Sequence, residues 1–118
     1  MEETPGPTFS CRLDHARGVL KLAGDVDHDS AATVTQSVVA AVTAGVTHLD
    51  LSEVSFFGAA GVRALLTGYE ALPAHVAALR VSCSPVVLRV LQTCGLVGAG
   101  RLQIVAADRS SGRHRAQT

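Results

Sequence analysis

The residues able to do chemistry are few, and only one group of them is dense. Asp25-Val26-Asp27-His28-Asp29 carries carboxylates at alternate positions. Acids at positions 1, 3 and 5 open a calcium loop, which then needs glycine at position 6 and glutamate at position 12. Here those positions hold Ser30 and Gln36, so the sharp bend and the bidentate ligand are both missing. The group reads instead as an acidic helix start, favoured by the positive end of the helix dipole. His15, His28, His48, His75 and His114 share no ligand spacing. No serine or cysteine has a base partner placed for nucleophilic catalysis. Neither G-x-x-x-x-G-K-[ST] nor a strand-linked G-x-G-x-x-G occurs, and Gly98-Ala99-Gly100 reads as a turn. The expectation is a protein that is not an enzyme and takes no metal and no cofactor.

One junction is nevertheless built like a docking site. Apolar alternation carries a strand out through Leu49 and Leu51, a short turn follows, and a helix begins near Ala59. In an α/β sheet such a junction lies at the carboxyl end of a strand, where ligands and partners dock. A helix starting there directs free N–H groups and a positive dipole end outward, which suits a phosphate or carboxylate. Residues 58–61 read Gly-Ala-Ala-Gly, so no side chain at the junction can itself carry a phosphate. Phe56 and Phe57 precede it. Neighbours alternate on an extended chain, so one of them belongs to the core and the other is free to anchor an interface. Arg63 follows the turn, either solvated or in contact with a partner.

Positioning that junction requires a run of alternating elements. A first strand is expected over residues 8–13, then a turn at 14–18 with Gly18 free to take positive φ, then a second strand over 19–23. These two form an antiparallel hairpin. Residues 24–27 break the strand, and Asp27 is placed to cap a helix over about 28–44. Ala31, Val34, Val38, Ala41 and Val42 form its apolar stripe, and Gly45 ends it. A third strand covers 46–51. The helix from Ala59 carries Val62, Leu65, Leu66, Tyr69 and Leu72 on one stripe and stops at Pro73, with Gly68 weakening it by about 1 kcal/mol relative to alanine. A fourth strand runs over 76–83. Ser84-Pro85 gives an N-cap followed by proline at the first helical position. The third helix turns Val87, Val90 and Leu91 inward and ends at Cys94-Gly95, and a last strand covers 102–105. The order is ββαβαβαβ. Short strand–helix–strand links imply right-handed crossovers and an α/β fold with a mixed, mostly parallel sheet and about three to four helices.

Composition bounds the rest. The chain has 118 residues, 47% of them apolar and only 3% aromatic, so Val, Leu and Ala must fill one modest core. Ten basic residues balance ten acidic ones, which gives no electrostatic reason to expect a nucleic acid or an anionic membrane as partner. No apolar run approaches the ~20 residues a membrane span needs. The first residues are acidic and unlike a signal peptide, so the expected location is cytoplasmic. Cys83 and Cys94 flank a helix of about ten residues, roughly 15 Å long. A disulfide needs Cα atoms within ~7 Å, so the three cysteines are expected reduced and partly buried. Residues 1–7 and the polar 107–118 are expected to be flexible, leaving one domain over 8–106.

Three stretches, in order and compatibly spaced, carry a resemblance to a known family. GVLKLAGDVD at 18–27 resembles a strand followed by G-E-L-D. DLSEVSFFGAAGV at 50–62 resembles D-L-S-x-V-x-F-x-D-S-S-G-L, and SPVVLRVLQTCGL at 84–96 resembles S-P-x-V-x-R-V-L-x-x-x-G-L. These are motifs of the STAS domain family, the bacterial anti-sigma factor antagonists. The resemblance covers about residues 8–106 and implies a STAS-like fold with helices on one face of the sheet. It also implies regulation of transcription by binding an anti-sigma factor of kinase-like ATPase fold, which frees a sigma factor. In the family that partner phosphorylates the first serine of D-S-S-G, and the added charge of about −1.5 to −2 breaks docking. Here Gly58 replaces the aspartate, Ala59 the phosphorylated serine and Ala60 the second serine, while Gly61 is kept. The expected partner surface is Asp25, Asp27, Phe57, Gly58, Ala59, Ala60, Gly61 and Arg63, without phosphorylation at Ala59. The lost serine leaves two alternatives open: an accessory subunit of a transporter or stress-signalling complex, and a sensor of a small ligand. Homodimerisation is left open as well.

Overall fold

The computed structural model describes residues 9–107. The flexible stretches expected at 1–7 and 107–118 lie, Ala107 apart, outside the described residues. The elements run β1 (Phe9–Asp14), β2 (Val19–Val26), α1 (Ala31–Thr43), β3 (His48–Phe57), α2 (Ala59–Glu70), β4 (Leu79–Cys83), α3 (Pro85–Thr93) and β5 (Leu102–Ala106). The order is the expected ββαβαβαβ, with three helices. The five strands stand side by side in chain order; β1 and β2 are antiparallel and the remaining neighbours parallel.

Alternation explains the layering. Leu20, Leu22, Leu49, Leu51, Leu79 and Val81 point to one face and join Val34, Val38, Val42, Leu65, Val87 and Leu91 of the helices in a single core. The other face holds the intervening polar residues. There His48 Nε2 lies 2.8 Å from Ser82 Oγ, and Lys21 Nζ donates to Glu53 Oε2 at 3.3 Å. Ser84 caps α3 as expected: its Oγ accepts from Val87 N–H at 3.5 Å and donates to the Val54 carbonyl at 2.7 Å. This serine is the one buried polar residue among those described, and both bonds satisfy it. All three cysteines are free. Cys11 and Cys94 are exposed, while burial pushes the Cys83 thiol up to about 12.

Several expected boundaries move. Residues 24–27 do not break the second strand, which continues to Val26. The third strand does not turn after Leu51 but continues to Phe57. The two extensions pair with each other, which supplies the hydrogen bonds neither segment would find alone. Asp27 does not cap α1. Its Oδ1 accepts from Asp29 N–H at 3.0 Å and Ser30 N–H at 3.1 Å, closing a turn that delays the helix to Ala31. The fourth strand starts at Leu79, because Val76 is held in a turn by its N–H bond to the Pro73 carbonyl. On α3, Val90 is only half-buried beside the buried Val87 and Leu91.

The largest revision concerns α2. Its buried face is Ala60, Gly61, Ala64, Leu65 and Gly68, while Val62, Leu66 and Tyr69 are only half-buried. Small residues line this face because α1 packs closely against it. A Cβ on Gly68 would fall well inside contact distance of Val38 Cγ1, and a valine in a helix has almost no rotamer freedom to yield. Gly68 thus costs helix propensity and gains close packing.

His48 gives the fold a pH dependence. Burial lowers its pKa below 6.5, and the nearby Arg80 adds to that, against a smaller opposite effect of Asp50. The unfolded chain therefore takes up this proton more readily than the native protein, so stability falls as pH drops below 6.5. Urea unfolding between about pH 7 and pH 5 should show that loss, and His48→Gln should flatten the slope in this range.

Candidate functional site

The parallel ends of β2 and β3 form one corner of the molecule. Their register contains two irregularities. Lys21 pairs with Asp50 and Ala23 with Glu53; Gly24 then pairs with Val54 and Asp25 with Phe56. At each step β3 spends one residue more than β2, which is a β-bulge. A bulge reverses the inside–outside alternation of every residue after it. Leu51 is buried, the next buried residue is Val54 rather than residue 53, and the next is Phe57 rather than residue 56. The second bulge therefore decides which phenylalanine is core.

Phe57 is 3% exposed and Phe56 is 50% exposed. This corrects the expected surface: Phe57 belongs to the core, and Phe56 is the aromatic free to touch a partner. Sequence alone showed only that the pair must divide. The bulges leave no mark in residue type, so the choice was not legible.

The helix start is tied to this corner. Gly58 is the N-cap of α2 in extended conformation, and its N–H bonds to the Val26 carbonyl at 3.2 Å. Ala59 is exposed and Arg63 is exposed about one turn further on, whereas Ala60 and Gly61 are buried against the core. Of the residues expected at the surface, Asp25, Asp27, Gly58, Ala59 and Arg63 are thus at least partly accessible around one sheet end. Phe57, Ala60 and Gly61 support it from beneath. Asp25 also accepts a hydrogen bond from Ser55 Oγ at 2.8 Å, and Ser30 Oγ donates to the Asp25 carbonyl at 3.2 Å. The sequence alone gives neither Ser55 nor Ser30 a bracing role. They brace the Asp25–Asp27 loop from β3 and from the start of α1.

The glycines have separate reasons. A Cβ on Gly61 would lie 2.7 Å from Cε1 of the buried Phe57 ring, so only glycine lets the helix sit on that ring. A Cβ on Gly58 would lie 3.1 Å from Cε2 of Phe56, whose ring is exposed and free to swing away. Space for a small ligand is absent beneath the helix start. The void lined by Leu22, Val34, Val38, Leu49, Leu51, Phe57, Gly61 and Leu65 is about 10 Å³, no more than one water needs. An open groove of about 630 Å³ lies on the α3 side of β3, lined by Ser52, Glu53, Val54, Ser55, Ser84, Pro85 and Val86. It exists because β3 outruns β4, whose last pair is Cys83 with Leu51.

The chain belongs to the STAS domain family: the family model described as "Mlab, STAS domain" matches residues 9–105. No curated protein matches it. Among solved structures it is similar to an anti-sigma factor antagonist from Mycobacterium paratuberculosis, with a TM-score of 0.73 and 21% identity, over 98% of this chain and 100% of that one. It is also similar to the anti-sigma factor antagonist SpoIIAA in its unphosphorylated form, with a TM-score of 0.60 and 24% identity, over 92% of this chain and 96% of that one. These likenesses establish the shared fold.

The two glycines should respond differently to the same methyl group. Gly61→Ala should cost about 1–3 kcal/mol by overpacking the Phe57 ring. Gly58→Ala should stay within about 1 kcal/mol, a figure set by the weaker N-cap preference of alanine. Urea denaturation of the two variants beside the wild type measures both.

Proposed function

We propose that this protein is a non-enzymatic antagonist of an anti-sigma factor, acting in transcription regulation in the bacterial cytoplasm. It docks on an anti-sigma factor of kinase-like ATPase fold and so frees a sigma factor. The single observation that carries the reading is the corner itself. Exposed Phe56, exposed Ala59 at the start of α2, and the braced Asp25–Asp27 loop share one end of the sheet. Phe56 supplies the kind of aromatic anchor that dominates protein interfaces, set among small and acidic neighbours. The family membership and the likeness to two antagonists support the same reading.

Alanine has no hydroxyl, so position 59 accepts no phosphoryl group. The antagonist is permanently in the docking-competent state at this site and is controlled by abundance or partner choice. A second reading, an accessory subunit of a transporter or stress-signalling complex, is favoured by the same missing hydroxyl, because such a role needs no phosphorylation. The small-ligand sensor is disfavoured by the filled core under the helix start.

Capture of partners from host lysate on the wild-type protein, Ala59→Asp and Phe56→Ala separates these readings. The expected result is a kinase-like anti-sigma factor held by the wild type. It should be lost with Ala59→Asp, which places a carboxylate where phosphoserine would sit, and weakened about tenfold or more with Phe56→Ala. Capture of a transporter or scaffold instead would support the accessory reading. Binding of the anti-sigma factor unaffected by either substitution would overturn the assignment of the surface.

A further inference from the structure

β1 is an edge strand with an unfinished inner side. It has β2 on one flank and, among the described residues, no strand on the other. Natural edges are blunted by proline, bulges or inward charges. β1 has none of these: its register with β2 is continuous from Phe9 to Asp14. Cys11 and Leu13 stand directly opposite Leu22 and Leu20, which are core residues, so both point to the apolar face. Cys11 is nevertheless exposed, and Leu13 is 36% exposed. Beside them an open groove of about 280 Å³ runs between β1 and α1, lined by Cys11, Leu13, Leu20, Ser37, Ala40 and Ala41.

We propose that β1 pairs antiparallel with β1 of a second copy of this chain, about a twofold axis through Cys11. A twofold axis normal to the sheet keeps inner residues opposite inner residues, so it must pass through a residue rather than between two. A centre at Arg12 sets that cation against its own copy, which is destabilising. Centres at Ser10 or Leu13 leave only the three strand residues 9–11 or 12–14 in register. The centre at Cys11 aligns residues 9–13. It sets Phe9 against Leu13 of the second copy on the inner face and Ser10 against Arg12 of the second copy on the outer face. No like charges stand directly opposite each other; the two Arg12 side chains are diagonal neighbours on the solvent-facing side. About Cys11 the strand reads apolar, polar, cysteine, polar, apolar in both directions, so it is its own complement. Phe9 of the second copy then arrives beside Leu13 at the margin of the open groove. This pairing uses the β1 edge of the sheet, opposite the β5 edge, and does not rest on the antagonist reading.

Sedimentation equilibrium of the full chain in reductant, over a wide concentration range, tests the pairing. The expected result is a reversible dimer whose dissociation constant rises tenfold or more in Leu13→Glu, a partly exposed position where circular dichroism should show an unchanged fold. On mild oxidation the wild type and Cys94→Ser should form a covalent dimer and Cys11→Ser should not, because directly opposed cysteines are within disulfide reach. A monomer at every concentration, as when residues 1–8 of the same chain occupy the edge, would overturn the proposal. So would a dimer indifferent to Leu13→Glu, or a crosslink running through Cys94.

Discussion

The pairing of β2 with a β3 that spends two extra residues is the constraint on which the corner depends. Parallel pairing satisfies the backbone of residues 23–26 and 53–57, and the two bulges set which side chains that backbone presents. Val54 and Phe57 turn to the core; Ser55 and Phe56 turn out. Phe57 then becomes the floor on which α2 begins, and its ring leaves room only for glycine at 61. The exposed helix start, the exposed aromatic and the Asp25–Asp27 loop are all consequences of one register.

Packing above the sheet follows a matching logic. α1 and α2 lie against each other through Val38 and Gly68, so α2 buries small residues and leaves its larger ones half-covered at the rim. Close approach of the helices keeps the void behind Phe57 too small for a ligand. The chemistry available at the corner is therefore that of a surface: one aromatic face, backbone N–H groups at a helix start, and two carboxylates held by Ser55 and by the turn at 27–30. Residue 59 adds no hydroxyl to that surface.

Much of this was legible in the residues, because periodicity and caps are local. The alternation of β2 and β3 up to Leu51, the Ser84-Pro85 start of α3 and the helix at Ala59 all followed from spacing and cap chemistry. The misread positions share a different cause. The strand beyond Ala23 and Leu51 exists because two remote segments satisfy each other's backbone, which no local window displays. Asp27 has cap chemistry but spends it on the turn before the helix. Leu66 and Tyr69 are apolar at helical spacing yet yield the buried face to Gly61, Ala64 and Gly68, because a neighbouring helix sets the distance. Phe57 was placed on the surface, and the bulge that turns it inward depends on register rather than residue type.

The bulged register is tested most directly by comparing the unfolding free energies of Phe56→Ala and Phe57→Ala. Phe57 in the core predicts a loss of about 3–5 kcal/mol on its truncation, as for a buried phenylalanine. Phe56→Ala should stay within about 0.5 kcal/mol of wild type, as for a surface substitution. Equal losses, or a larger loss at Phe56, would contradict the second bulge, and with it the placement of Phe56 on the exposed face of the corner.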